Sequence, residues 1–185
     1  MAVWGFDTDT EFTEFYFPIK EDKIYFHELV KNYFEETKSV LDKWRLLYML
    51  RGEPLKHPDF FEIDGTDIIA ISQKAVNSLN SYLNNKIELL PIETDAGKYY
   101  AINVLNIVDC LSQEKSVYIA TINGHIVSYS LLEFNEEKLE NYSFFKIPEM
   151  PYKIFISDDI QERCEDDYLC GLSFDLESNL VWYPE

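Results

Sequence analysis

The sequence predicts an α+β fold, built mainly from an antiparallel sheet of hairpins with a few packed helices. Two turn signals predict the hairpins, because Asn123-Gly124 and residues 94–97 each separate two β-rich runs. The spacing of apolar residues predicts the helices, since it follows a helical period in residues 23–44 and 75–83. Hairpins and separate helices in one chain are typical of an α+β fold.

The front of the chain is predicted to be helical. Phe26, Leu29, Val30, Tyr33 and Phe34 recur at the spacing of one helix face. Prolines at positions 54 and 58 then interrupt the pattern, because proline cannot continue a helix. We therefore expect residues 1–53 to form a helical or edge section that packs on a main α+β domain of residues 54–185.

The elements of the main domain follow in order. Residues 67–71 are predicted to form a strand, and Ser72 is predicted to be the N-cap of a helix that ends near residue 84. The predicted strands after that helix are 87–92, 99–108, 117–122, 125–129, 142–147 and 153–156. Ser157 is predicted to cap a short acidic helix, and Gly171 to lead into a last strand of residues 172–176.

Composition and charge argue against several classes of function. Of the 185 residues, 46% are hydrophobic, which is enough for a core. The net charge of −18 argues against nucleic acid and anionic membranes as partners. No apolar run is long enough to cross a membrane, and no basic residue precedes Lys20 as a secretory signal would require. We therefore expect a soluble, cytoplasmic protein.

The acidic charge is unevenly distributed. Residues 68–132 have a net charge of −1, whereas residues 133–185 have a net charge of −10. We therefore expect the middle of the chain to form the buried centre, and the last third to supply most of the acidic surface.

No cofactor or metal is expected from the sequence. The three cysteines fit neither a disulfide framework nor a zinc site, and they indicate reduced thiols. The three histidines lack metal-ligand spacing, and no glycine-rich loop for phosphate is present. Asn103 interrupts an apolar run, and we expect it to satisfy backbone groups in the sheet.

One enzymatic alternative stays open. Asp7 and Asp9 follow a possible strand of residues 3–6, as in the nucleophile loop of haloacid-dehalogenase-like phosphatases. Asp7 would attack phosphorus, and Mg²⁺ would neutralise the phosphate with help from Asp158 and Asp159. Such enzymes need a parallel sheet at this position, whereas the hairpin signals favour antiparallel strands.

The order of the pieces between residues 54 and 176 carries a resemblance. The most specific piece is residues 99–111, supported by 68–83, 87–92, 144–148, 154–157 and 171–174. Together they resemble an immunity-protein family of bacterial polymorphic toxin systems, also known as a domain of unknown function. The resemblance implies neutralisation of a cognate toxin by stoichiometric binding, with no catalytic motif. A regulatory or structural protein-binding module without a toxin partner stays the other alternative.

Acidic runs are usually solvated surface, but the resemblance makes them the first candidates for contact with a toxin. They attract a basic partner over long range, and tail aromatics are suited to anchor it, so a basic toxin is favoured. Phe15, Tyr16 and Phe17 are weaker candidates, because such residues more often belong to the core. Oligomeric state stays open. The expected partner-binding residues are Glu133, Glu136, Glu137, Glu140, Glu162, Glu165, Asp166, Asp167, Trp182 and Tyr183.

Overall fold

The computed structural model describes residues 3–9, 12, 14–52, 56–123 and 126–174. Several antiparallel sheets and three α-helices confirm the predicted α+β class. Within these ranges, no helix is both long enough and apolar enough to cross a membrane.

A six-stranded sheet forms the centre of the molecule. Its strands are β3 (Phe15–Tyr16), β4 (Leu47–Arg51), β5 (Phe60–Glu62), β6 (Ile69–Ser72), β7 (Ile87–Thr94) and β8 (Gly97–Val104). Their order is β3-β4-β7-β8-β6-β5, and only the β4–β7 pair is parallel. The β7–β8 hairpin turns at residues 94–97, as the sequence predicts.

Smaller sheets surround this centre. A three-stranded antiparallel sheet contains β1 (Val3–Gly5), β11 (Phe144–Ile147) and β12 (Met150–Ser157). A short pair joins β2 (Asp7–Thr8) to β13 (Leu172–Ser173). The second predicted hairpin pairs β9 (Val117–Ala120) with β10 (Ile126–Leu131).

Three α-helices pack on the sheets, namely α1 (Lys20–Leu29), α2 (Gln73–Ser78) and α3 (Asp158–Asp166). The first helix continues through a π-helical turn, Val30–Phe34, with Glu35 as its C-cap, and Thr37 then adopts a left-handed φ of 52°. The helical pattern predicted for residues 23–44 therefore ends at Phe34. Residues 40–44, which could have continued the helix or begun a second short one, form only a turn. Ser72 caps α2 by accepting a hydrogen bond from Ala75 N, as predicted.

Alternation along β8 divides the core into layers. Tyr99 and Ala101 face the core cluster under α1, whereas Ile102 and Val104 face a second cluster that includes residues of α2 and α3. The three-stranded sheet covers that second cluster, and its far face, with Phe155, forms a third. The prediction that residues 68–132 form the buried centre of the protein is right for the part that contains β6, β7 and β8.

Candidate partner-binding surface

The most unusual surface is a hairpin without charge. Residues 116–132, here called the uncharged hairpin, contain no Asp, Glu, Lys or Arg in a chain whose net charge is −18. The exposed fractions of Val117, Tyr118 and Ile119 are 51%, 47% and 55%, and that of Ile122 is 102%. The prediction that the low charge of this region marks a buried centre is wrong here, because the hairpin projects its apolar side chains into solvent.

Strand β9 is open on several sides. All four of its residues are exposed, so neither face of the strand is fully covered. Its only strand partner in the described part of the chain is β10. A strand at the edge of a sheet presents backbone N–H and C=O groups that are free to pair with another chain.

The root of the hairpin is anchored in the protein. Tyr129 and Leu132 are buried in the third core cluster, and the Tyr118 ring packs edge-on to Tyr129 with centroids 6.1 Å apart. Ser116 Oγ accepts a hydrogen bond of 3.0 Å from Glu133 N. A firm root holds the exposed strand in a defined position.

The first acidic run lies at this root. Glu133, Glu136, Glu137 and Glu140 are all exposed. The run is fixed because the Glu133 carbonyl accepts from Ser112 N at 2.7 Å, and Leu139 is buried in the third core cluster. Four exposed carboxylates, with the exposed Lys138 among them, therefore follow the uncharged hairpin directly in the chain.

The second acidic run belongs to α3 and packs elsewhere. Glu162, Glu165 and Asp166 are exposed, whereas Ile160 and Cys164 bury the inner face of the helix in the second core cluster. Asp167 is half-buried and already engaged, since it accepts from Ser78 Oγ and pairs with Arg163 at 3.0 Å. The two runs therefore rest on different core clusters.

The aromatic candidates have different outcomes. Trp182 and Tyr183 lie outside the described residues. Phe15 and Phe17 are buried in the first core cluster, and only Tyr16 is exposed. The expectation that such residues more often serve the core holds for these two phenylalanines.

The geometry around Asp7 contradicts the phosphatase alternative. Strand β1 is antiparallel to β12, and β2, which contains Asp7, is antiparallel to β13. The parallel sheet that a nucleophile loop would need is therefore missing from these pairings. Asp7 instead forms an ion pair of 3.1 Å with Lys153. Among the residues that the structure describes, no cluster of His, Cys, Asp and Glu is arranged to hold a metal ion.

An acidic recess of about 410 Å³ lies between β3 and β5. Aromatic rings and the carboxylates of Asp9, Glu14, Glu62 and Asp64 line it. Burial, with the nearby charges of Asp67 and Asp7, raises the pKa of Glu62. Asp64 is already paired with Lys23 and His27, so the acidic charge of the lining is partly compensated within the chain, and what remains disfavours phosphate.

The cysteines are poor candidates for chemistry. All three are free, and burial raises the pKa of Cys110 and of Cys164 to about 12. The pKa of Cys170 is raised as well, mainly by burial. A thiol with a raised pKa contributes little thiolate at neutral pH, so nucleophilic catalysis is disfavoured.

Three buried polar side chains form hydrogen bonds to the loop after the first helix, and the sequence pattern did not predict that they act together. Asn103 Nδ2 donates to Lys38 O at 2.9 Å and to Glu88 Oε2 at 2.8 Å. Glu88 also accepts from Val40 N at 3.0 Å, and Lys146 Nζ donates to Phe34 O. Asn103 satisfies backbone as predicted, but in the loop after the first helix and not within the sheet. We call Glu88, Asn103 and Lys146 the anchor residues, because they hold residues 34–40.

Comparison with known proteins agrees with the resemblance. Residues 87–177 match the family model described as an immunity protein family, Imm11. The matched region runs from β7 to beyond β13, and it contains the uncharged hairpin, both acidic runs and all three anchor residues. No curated protein matches the chain. The predicted resemblance to an immunity-protein family is confirmed over this region.

Proposed function

We propose, on the premise that residues 87–177 are similar to the Imm11 immunity proteins, that this chain neutralises a cognate toxin by stoichiometric binding in the cytoplasm. The family match is the observation that carries the proposal. On this proposal the chain covers a functional face of the toxin, so it needs complementarity and not a reactive group.

The charge of the chain supports a basic target. The whole chain has a net charge of −18, and part of its acidic charge lies in the two exposed acidic runs and in the acidic recess. Complementary charge raises the association rate of two proteins more than it raises the affinity. The toxin face that the chain covers is therefore proposed to be basic, and the run of Glu133, Glu136, Glu137 and Glu140 is proposed to steer it.

The described side chains favour binding over catalysis. Asp7 is paired with Lys153, and burial holds Cys110 and Cys164 as thiols. Each of these groups lacks the activation that a nucleophile or a general base requires.

The proposal is tested by co-expression of this chain with the toxin domain encoded beside it. We expect restored growth and a 1:1 complex in a pull-down, and we expect the complex to form more slowly as salt rises. A toxin domain from an unrelated gene pair is the control. Absence of both rescue and complex would contradict the immunity function for that pair. Rescue without a complex would contradict stoichiometric binding.

A further inference from the structure

We propose that the uncharged hairpin is the toxin-docking element, and that the outer edge of β9 binds an extended segment of the toxin as an added strand. This inference rests on the proposed function and specifies its contact surface. The toxin segment would carry apolar residues along β9 and a Lys or Arg at the end that meets the first acidic run.

The open edge supplies the main attraction. Strand β9 is paired with β10 on one side, and Val117 to Ala120 are exposed along its whole length. Strand addition satisfies the backbone groups of such an edge, while side-chain contacts on either face provide specificity. Because Val117 and Ile119 are about half exposed, an added strand would also cover apolar surface.

The hairpin lacks the charged residues that usually protect an edge strand, and this favours a role for the edge in binding. Natural proteins protect edge strands with charged side chains, proline, bulges or a covering element. Residues 116–132 contain no Asp, Glu, Lys, Arg or Pro, although 27% of the whole chain is charged. Strand β9 has only four residues, and the two register shifts of the pair place the extra residues in β10, so β9 itself has no charge, proline or bulge. An exposed apolar strand of this kind creates an aggregation risk, and a partner that occupies it removes that risk.

Charge at the root identifies the occupant as a basic protein segment. Glu133 hydrogen-bonds through its backbone to Ser116, directly before β9. Glu136, Glu137 and Glu140 follow in the same exposed run. An occupant with a basic end beside these carboxylates gains attraction, whereas a second acidic copy of this chain is repelled.

The first arm of the test places a charge on the edge strand. Ile119→Lys should weaken toxin binding by at least about tenfold, because a lysine on β9 would have to be desolvated in the added sheet. The matched control is Ile24→Lys on α1, where the isoleucine is 49% exposed against 55% for Ile119. Both variants change the net charge equally, so only the location differs. Equal melting temperatures of the two free variants show that folding is preserved.

The second arm measures amide hydrogen exchange in the complex. Strand addition predicts that the backbone amides of residues 117–120 that face away from β10 exchange at least about tenfold more slowly when toxin is bound. Contacts made by side chains alone would leave outward-facing amides exchanging at the free rate. Protection of the same amides in the free chain would show that the edge is covered by the chain itself or by a second copy, and it would overturn the proposal.

The outcomes separate this inference from the proposed function. If the wild-type chain neither binds nor neutralises the toxin, the immunity function fails and the docking proposal fails with it. If the wild type binds and Ile119→Lys binds equally well, the hairpin is not the docking element, while the immunity function stands. Selective loss with Ile119→Lys, together with protection at β9 only in the complex, supports strand addition.

Discussion

The buried ammonium group of Lys146 donates a hydrogen bond of 2.8 Å to the carbonyl oxygen of Phe34. Lys146 is 1% exposed, and Phe34 closes the π-helical turn after α1. The bond joins the family-matched region to the helical front of the chain. Burial lowers the pKa of Lys146 to about 8, and the charge of Glu35 opposes this shift only in part.

The lowered pKa predicts a pH-dependent contribution of Lys146 to stability. Below about pH 8 the folded state has the full cost of a buried charge. Between about 8 and the ordinary value of 10.5, the unfolded chain binds the proton and the folded chain does not, so stability rises with pH. We expect the free energy of unfolding of the wild type, relative to Lys146→Met, to increase by on the order of 1–3 kcal/mol over that range.

Urea unfolding at pH 7.5, 9 and 10.5 measures this difference. The matched control is Lys31→Met, which removes an exposed lysine from the same π-helical turn that contains Phe34. A difference between wild type and Lys146→Met that stays constant over this range would contradict the burial of a titrating ammonium group.

Asn103→Asp is expected to destabilise the fold strongly. The substitution replaces a buried amide, which donates 2.8 Å to Glu88, by a second carboxylate of nearly the same shape. Two buried carboxylates in contact repel each other, so we expect a loss of about 3–5 kcal/mol near pH 7. Protonation of one carboxyl group should recover part of this loss as pH falls toward 5.

Thermal and urea denaturation check the Asn103 prediction. Asn80→Asp makes the same chemical change at an exposed position and should cost less than about 0.5 kcal/mol. Equal effects of the two substitutions would show that the Asn103–Glu88 contact does not stabilise the protein.

Gly171→Ala is expected to cost about 3 kcal/mol or more. Gly171 has a φ of +101°, and an added Cβ would lie 2.3 Å from Phe60 O and 2.8 Å from Pro58 Cβ. The backbone around residue 171 or the backbone of Phe60 must move to relieve the strain and the close contact. Gly97→Ala is the control, because its φ of +128° is also strained but nothing lies within 4 Å of the added atom.

Comparison of the two glycine variants by thermal denaturation isolates the close contact. Gly97→Ala should cost about 1 kcal/mol from strain alone. If Gly171→Ala proves no more harmful than Gly97→Ala, the packing of the segment before β13 against β5 is looser than described.

Neutralising the first acidic run should slow association with the toxin. The variant replaces Glu133, Glu136, Glu137 and Glu140 by Gln, which removes four exposed charges beside the uncharged hairpin. We expect the association rate constant at low salt to fall about tenfold, with little change in dissociation. Stopped-flow or surface-based kinetics at two salt concentrations provide the measurement.

The second acidic run supplies the comparison. Replacing Glu162, Glu165 and Asp166 by neutral amides removes exposed charge from α3, on a different core cluster. Its effect on the association rate should be smaller. A larger effect of the α3 substitutions on the association rate would indicate that α3, and not the run beside the hairpin, steers the toxin.

Local signals predicted much of the fold. The turn at residues 94–97, the pairing of the strands on either side of Asn123-Gly124 and the cap at Ser72 each depend on neighbouring residues, and each is confirmed. Ser157 is the exception, since it occupies the N-cap position of α3 but its side chain makes no capping hydrogen bond. The parallel pairing of β4 with β7 was not predicted, because such a contact depends on distant parts of the chain.

The candidate surface was predicted only in part. The acidic runs are visible in the sequence, and their exposed members remain predicted contacts. The uncharged hairpin was interpreted as part of the buried centre, because sequence shows low charge but not whether another layer covers it. The division between residues 1–53 and 54–185 stays a prediction, although β4 and the anchored loop 34–40 contact the matched region closely.

The most direct test of the account is a titration of purified chain into the active cognate toxin, with residual toxin activity as the readout. Stoichiometric neutralisation predicts a linear decrease that reaches zero at one chain per toxin when both are well above the dissociation constant. Undiminished activity at a large molar excess of the chain would contradict neutralisation by binding. A decrease that continues with time at substoichiometric chain would instead indicate catalytic inactivation.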